Sequence, residues 1–256
     1  GYPLFLFNPH GKDFSDYVEV ELEWFCQSPL KLSDPFGNEV PYQRIHTAAK
    51  VRHTVLGGRR RIVFHASVPS CGYAVYRLRK ETPSLGFNQN MELDNPDPYT
   101  LENRFLRAEF DPETGMLCAL KDRTAGYDAL KGPASVRLYV DERDAWGGLQ
   151  GKRFEDRNVT FRLDSIDKVE SGEIRETIRV RLSYEGTRLE QLYSLGADER
   201  ELRVENRLCF AHPRALLKTA YPTGEGCLIT RAETAYGIVE RDHKGDDGEY
   251  NMQRFL

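Results

Sequence analysis

The sequence predicts a mostly β protein, a small β-sandwich followed by a large antiparallel β-sandwich. Three observations point there. Apolar and polar residues alternate with period two in short runs, most strictly where Leu106, Ala108 and Phe110 stand against Arg107 and Glu109. Turn residues such as Asp111-Pro112-Glu113-Thr114-Gly115 separate the runs, with Pro able to fix one φ and Gly free to take φ > 0. Few segments support a long amphipathic helix.

Taken in order, Leu4 to Phe7 is a short apolar strand ended by Asn8-Pro9-His10-Gly11. Tyr17 to Trp24 alternates cleanly, which predicts one wet face and one buried face. Asp34 to Pro41 carries the residues of a hairpin turn, and Arg61–Ala66 and Tyr73–Leu78 complete a first domain over residues 1–80. Residues 81–98, rich in Pro, Asn and Asp, form the expected linker. A second domain over 99–256 opens with the Leu106–Phe110 strand. Its return strand buries Met116, Cys118 and Leu120, or Leu117 and Ala119 on the other face, and Lys121 to Gly126 closes it. Gly147 to Gly151 is a loop. Thr160–Ile166, Ile174–Tyr184, Arg188–Leu195 and Glu201–Phe210 then read as successive strands. Arg175, Thr177, Arg179 and Arg181 alternate with Glu176, Ile178, Val180 and Leu182, predicting a strand with a solvent-facing, basic side.

With 39% hydrophobic and 30% charged residues in 256, the chain can bury a core. A net charge of −4 gives no electrostatic reason to expect nucleic acid or an anionic membrane as partner. Arg59-Arg60-Arg61 reads as a solvated turn or strand end. Cys26, Cys71, Cys118, Cys209 and Cys227 are odd in number and scattered, with no CxxC pair; buried reduced thiols of a cytoplasmic protein are expected. Asn158-Val159-Thr160 matches a glycosylation sequon but has no secretory context. No signal peptide or membrane-length apolar run stands out, and Gly1-Tyr2-Pro3 enters directly into a strand, as expected of a segment of a longer chain.

The run from Glu102 to Leu130 reads ENxFLRxEFDPxTGxLxxLxDRxxGxDxL, and a strand ending Asp141-x-x-Asp144-Ala145-Trp146 follows. This combination resembles the large β-domain of the glycoside hydrolase family 38 α-mannosidases, which follows their catalytic domain. Phe7-Asn8-Pro9, Asp34 to Gln43 and Val68 to Leu78 resemble the intervening β-domain of that family. Val204 to Arg207, Leu216-Leu217-Lys218, Tyr221-Pro222 and Glu233 to Arg241 resemble later parts of the large domain. Cys209-Phe210 and Ala235 depart from the family pattern, which has Asp-Trp and Pro there, so no role is carried over to those positions. The resemblance implies a galactose-mutarotase-like sandwich, incomplete at its C-terminal end.

It further implies a parent that is a retaining, zinc-dependent α-mannosidase acting on an α-mannoside glycan. The zinc and both carboxylates would belong to an upstream catalytic α/β domain of the same chain. No motif position carrying those roles is matched here, so no catalytic or metal residue and no cofactor are assigned to this stretch. Its six histidines, His10, His46, His53, His65, His212 and His243, show no HxH or HxxxH spacing. Asp141, Asp144 and Trp146 form an acidic–aromatic cluster suited to a sugar, since carboxylates bind hydroxyls and an indole stacks on a pyranose face. The competing reading is a turn anchored by a buried Trp. Tyr139 joins the cluster because its strand resembles the one that approaches the substrate pocket in relatives. Glu240 to His243 reads as the polar end of a strand.

The expected function is an accessory β-region, inactive alone, that buttresses the catalytic domain and lines part of the sugar cleft or the contact of a homo-oligomer. Its sign would be a bare apolar surface and self-association. A free-standing carbohydrate-binding module would instead need an exposed aromatic platform, with Trp24 and Trp146 the available tryptophans. A mutarotase-like epimerase would need a converging His and Glu. A purely structural interaction domain stands behind all three.

Overall fold

The computed structural model describes residues 1–22, 29–45, 60–81, 96–141, 154–223, 229–234, 237–242 and 254–255. Trp24, Asp144, Trp146, Cys26, Cys227, His46, His53, His243, the 147–151 loop and most of the expected linker lie outside them. Among the described residues every regular element is a strand and every described pairing is antiparallel. The chain divides into two compact units. The first comprises Gly1–Asp97 with Lys168–Thr177 and Ser194–Ala197; the second comprises Pro98–Asp167, Ile178–Tyr193 and Asp198–Leu256.

The first unit holds β1 (Tyr2–Asn8), β2 (Phe14–Leu22), β3 (Leu30–Ser33), β4 (Glu39–Val40), β5 (Gln43–Ile45), β6 (Arg60–Val68) and β7 (Gly72–Lys80). They form two sheets, β1-β7-β3-β4 and β2-β6-β5. Alternation explains the core between them: Leu32, Ile62, Phe64, Tyr76 and Leu78 come from period-two positions and are nearly solvent-free. Val18, Val20 and Leu22 pack on this core, as the pattern of β2 predicts. The opposite face of β2 is not simply wet. Tyr17 packs on Ile45, Val63 and Ile174, so β6 is covered on both faces at Val63, while His65 and Ser67 farther along stay exposed.

Polar side chains hold the turns of this unit. Asp34 accepts from the amides of Phe36 and Asn38, each at 2.8 Å, and Gly37 supplies φ of 91°. Gln43, also buried, donates Nε2 to Arg175 O at 2.8 Å and accepts from the amides of Ile174 and Arg175. Arg175 in turn bonds Glu19 at 2.7 Å and Glu170 at 2.8 Å with little solvent access. Burial pulls its guanidinium pKa down, but Glu170 and Glu19 outweigh that and hold it above its ordinary value.

The second unit takes in β8 (Thr100–Glu102), β9 (Leu106–Phe110), β10 (Leu117–Asp122), β11 (Tyr127–Asp128), β12 (Ser135–Val140), β13 (Arg162–Glu170), β14 (Arg175–Tyr184), β15 (Thr187–Gly196), β16 (Arg203–Cys209), β17 (Ala215–Ala220), β18 (Ile229–Thr234), β19 (Gly237–Asp242) and β20 (Arg254–Phe255). Three of these, β13, β14 and β15, have an end that belongs to the first unit. The sheets are β11-β10-β9-β8, β12-β17, β13-β14-β15-β16 and β19-β18-β20. Leu106, Ala108 and Phe110 are buried as the alternation predicts. On β10 the buried pair is Leu117 and Ala119, while Cys118 is exposed and a register irregularity falls between Leu117 and Ala119. Phe110 meets Tyr193 edge to face with centroids 4.8 Å apart, and burial pushes the Tyr193 phenol far above its usual pKa.

The basic side expected of β14 is neutralised. Arg175 is largely withdrawn from solvent and pairs with Glu19 and Glu170, Arg179 pairs with Asp167 at 3.2 Å, and Arg181 pairs with Glu190 at 2.8 Å. Flanking strands supply the carboxylates, which no single-strand pattern reveals. Buried thiols are corrected as well: Cys71, Cys118 and Cys209 are free and exposed.

Turn carboxylates make stability depend on acid. Hydrogen bonds from the Asn38 side chain, the Thr114 amide and the Ala125 amide lead in holding Asp34, Asp111 and Asp122 below their ordinary 3.8. A depressed folded pKa contributes stability that is present above 3.8 and lost as pH falls through the folded value. The urea midpoint is therefore expected to hold above about pH 5 and fall toward pH 2. Asp111→Asn, which keeps an acceptor but not the charge, should flatten part of that fall; an unchanged slope would remove Asp111 from the account.

Candidate functional site

The signature from Glu102 to Leu130 is built of turn-closing side chains. Asn103 Oδ1 accepts from the amides of Phe105 and Leu106, and its Nδ2 donates to Glu199 O at 2.7 Å. Asp111 accepts from the amides of Glu113 and Thr114 and from the Thr114 hydroxyl; Gly115 follows at φ of 70°. Asp122 accepts from Thr124 and Ala125, and Asp128 from Leu120 and Leu130. Asn206, in the later motif, accepts from Gln191 at 2.8 Å. These polar residues fix hairpin geometry.

A different group of polar and aromatic side chains gathers on β12. Arg137 and Tyr139 lie on the face opposite the buried Val136 and Leu138. Pairing with β17 sets Arg137 opposite Lys218 and Tyr139 opposite Leu216. Lys218 Nζ thus reaches diagonally to 4.8 Å from the Tyr139 ring centroid, and it stands 4.8 Å from that of Phe154. The 154–157 segment runs along the other side of β12. Val140 N donates to Glu155 O and Arg157 N donates to Leu138 O, each at 2.8 Å, while Arg137 reaches Asp156 at 3.4 Å. Asp141 is placed by its amide, which donates to Arg214 O at 3.0 Å, with Arg214 itself at φ of 51°.

Of the predicted residues, then, Tyr139 and Asp141 sit on or just beyond one strand, while Asp144 and Trp146 fall outside the described residues. Sequence reading missed Lys218 as a neighbour of Tyr139, along with Phe154 and Asp156. The Leu216-Leu217-Lys218 run was visible, but the pairing that brings it to Tyr139 was not. The group offers a phenol, a carboxylate, an ammonium and a guanidinium, the chemistry that grips sugar hydroxyls. Among the described residues no cluster of three His, Cys, Asp or Glu side chains could hold a metal ion. A groove of about 370 Å³ lies elsewhere in the unit, lined by Asp164, Arg181, Arg188, Glu190 and Arg207 among others, and by none of the predicted residues.

Fold and site together define an all-β, antiparallel domain with polar turn locks and no metal cluster among its described residues. Residues 101–255 match the glycosyl hydrolases family 38 C-terminal domain. With well over half of its length so matched, the chain belongs to that family. It is 24% identical over 124 residues to a lysosomal alpha-mannosidase of Cavia porcellus, covering 47% of this chain and 11% of that protein. To the lysosomal alpha-mannosidase of Bos taurus it is 22% identical over 129 residues, with the same coverage. Two solved structures from Enterococcus faecalis share the fold. A protein in the glycosyl hydrolase family 38 superposes with TM-score 0.64 at 15% identity, over 94% of this chain and 35% of that one. An alpha-mannosidase of strain V583 gives 0.63 at 14% identity, over 94% and 34%. The chain thus spans about a third of its structural neighbours and about a tenth of the lysosomal enzymes.

Proposed function

We propose that the chain is the accessory β-region of an α-mannosidase that hydrolyses terminal α-mannosides. It buttresses a catalytic α/β domain of the same polypeptide, and Tyr139 and Asp141 line part of the sugar cleft. The observation that carries the reading is the family match over residues 101–255. Supporting it, the signature residues close turns, and the polar group around Tyr139 suits hydroxyl contacts better than bond cleavage. Zinc and the catalytic carboxylates would be held by the catalytic domain, so no step is assigned to a metal on these residues. A cytoplasmic location belongs to the same proposal, supported by the exposed free thiols of Cys71, Cys118 and Cys209.

The test is hydrolysis of an aryl α-mannoside with added zinc, by this chain alone and by this chain mixed with a separately expressed family 38 catalytic domain. No turnover alone and turnover in the mixture is the expected result. In the mixture, Tyr139→Phe or Asp141→Asn should each lower kcat/KM by about tenfold, the loss of one sugar hydrogen bond. Zinc-dependent turnover by the chain alone would overturn the accessory role. Unchanged kcat/KM in both variants would overturn the cleft assignment.

A further inference from the structure

Lys218 stands beside a like charge. The β12–β17 register sets it directly opposite Arg137, and residues directly opposite in an antiparallel pair share a face. Two like charges so placed repel. Arg137 turns to its own side: its guanidinium reaches Asp156 at 3.4 Å, and its Nε donates to Ser135 Oγ at 3.2 Å. Lys218 turns along the ladder instead and sets its ammonium 4.8 Å from the ring centroids of both Tyr139 and Phe154. A cation within about 6 Å of a ring centroid is attracted by the negative face of the ring.

The three side chains come from three neighbouring stretches. Tyr139 lies on β12, with Lys218 on β17 at one side. Phe154 lies at the other side, on the 154–157 segment, which is tied down by the Tyr139–Asp156 bridge and the bond from Arg157 N to Leu138 O. One ammonium therefore braces rings delivered from both sides of the central strand. Among the described residues no group bonds the Tyr139 hydroxyl, although its residue is half-buried. A phenol withdrawn from water normally finds a hydrogen-bond partner. The direction in which this hydroxyl points is set through its ring, and the charged contact on that ring's face is Lys218.

We propose that Lys218 is a positioning residue: held by the two rings, its ammonium fixes the tilt of Tyr139 and aims the phenol at a sugar hydroxyl, without touching the sugar itself. The inference rests on the reading that Tyr139 lines the sugar cleft, and it adds what orients the phenol there. Lysine suits the task, since its long flexible stem can lean past Arg137 and its compact ammonium can serve two rings at once.

Kinetics of the chain mixed with a family 38 catalytic domain test the role. Lys218→Met keeps a flexible, unbranched stem and removes the charge; it should lower kcat/KM about fivefold, the worth of one cation–π contact. Lys218→Arg, whose guanidinium also stacks on aromatic faces, should restore most of the loss. In a Tyr139→Phe background Lys218→Met should have no further effect, because no phenol remains to be aimed. Equal losses in both backgrounds would make Lys218 a direct sugar contact or a general support and would overturn the proposal. So would full activity of Lys218→Met beside a loss in Tyr139→Phe, an outcome that leaves the cleft reading standing. Full activity of Tyr139→Phe itself marks the failure of the cleft reading, and the positioning role falls with it. Proton NMR of the chain alone checks the geometry. The Lys218 ε-methylene protons should resonate upfield of the ordinary lysine position, shielded by the rings, and should move part of the way back in Phe154→Leu. An ordinary position, unmoved by Phe154→Leu, would overturn the proposal whatever the kinetics.

Discussion

Gly115→Ala is expected to lower the free energy of unfolding by about 3 kcal/mol, with the urea m-value unchanged. Two effects add. Gly115 has φ of 70°, where a Cβ costs about 1–2 kcal/mol. That Cβ would also lie 2.6 Å from Leu163 Cδ1 and 2.8 Å from Val180 Cγ1, contacts only a shift of packed side chains could relieve. Gly37→Ala separates the effects. Its φ is 91°, but nothing lies within 4 Å of the added carbon. It should lose about 1–2 kcal/mol, the backbone share alone. Equal losses at both sites would show that the crowding at Gly115 relaxes freely.

Arg175→Met is expected to cost about 3 kcal/mol by the same measurement. The guanidinium bonds Glu19 and Glu170, and its removal leaves both carboxylates without their shared cation in a site with little water. Arg61 continues to pair with Glu19, so Glu170 bears most of the loss. Adding Glu170→Gln to Arg175→Met should therefore recover a substantial part of the stability. No recovery would locate the cost in lost packing of the arginine stem.

Much of the fold was legible because burial follows local alternation. Leu106, Ala108 and Phe110 show the rule at its clearest, and β9 is predicted by it residue for residue. The rule weakens where a strand has two covered faces. Tyr17, on the predicted wet face of β2, packs against Ile174, far along the chain. It fails for charge, since whether Arg175 is solvated or buried depends on Glu19 and Glu170, which other elements deliver. The site follows the same division. Tyr139 could be placed on a strand from its neighbours, but Lys218 arrives through the β12–β17 pairing, which no local pattern encodes. The family signature was the clearest feature of the sequence because Asp111, Asp122 and Asp128 act within a few residues of themselves.

The β12–β17 ladder also sets an order in time. Hairpins such as β9–β10 can close as soon as their short turns are made, whereas β12 must wait for β17, with Val140 meeting Ala215 and Ser135 meeting Ala220. Loop-closure entropy must be overcome before that ladder forms, so it belongs to the slow phase of folding. During synthesis on the ribosome β12 emerges well before β17, with the 154–157 segment the earlier of its two flanking partners to arrive. The ladder beside Tyr139 is thus completed only once a chain segment some distance downstream has been made, and a chaperone holding β12 before then would delay that side of the strand.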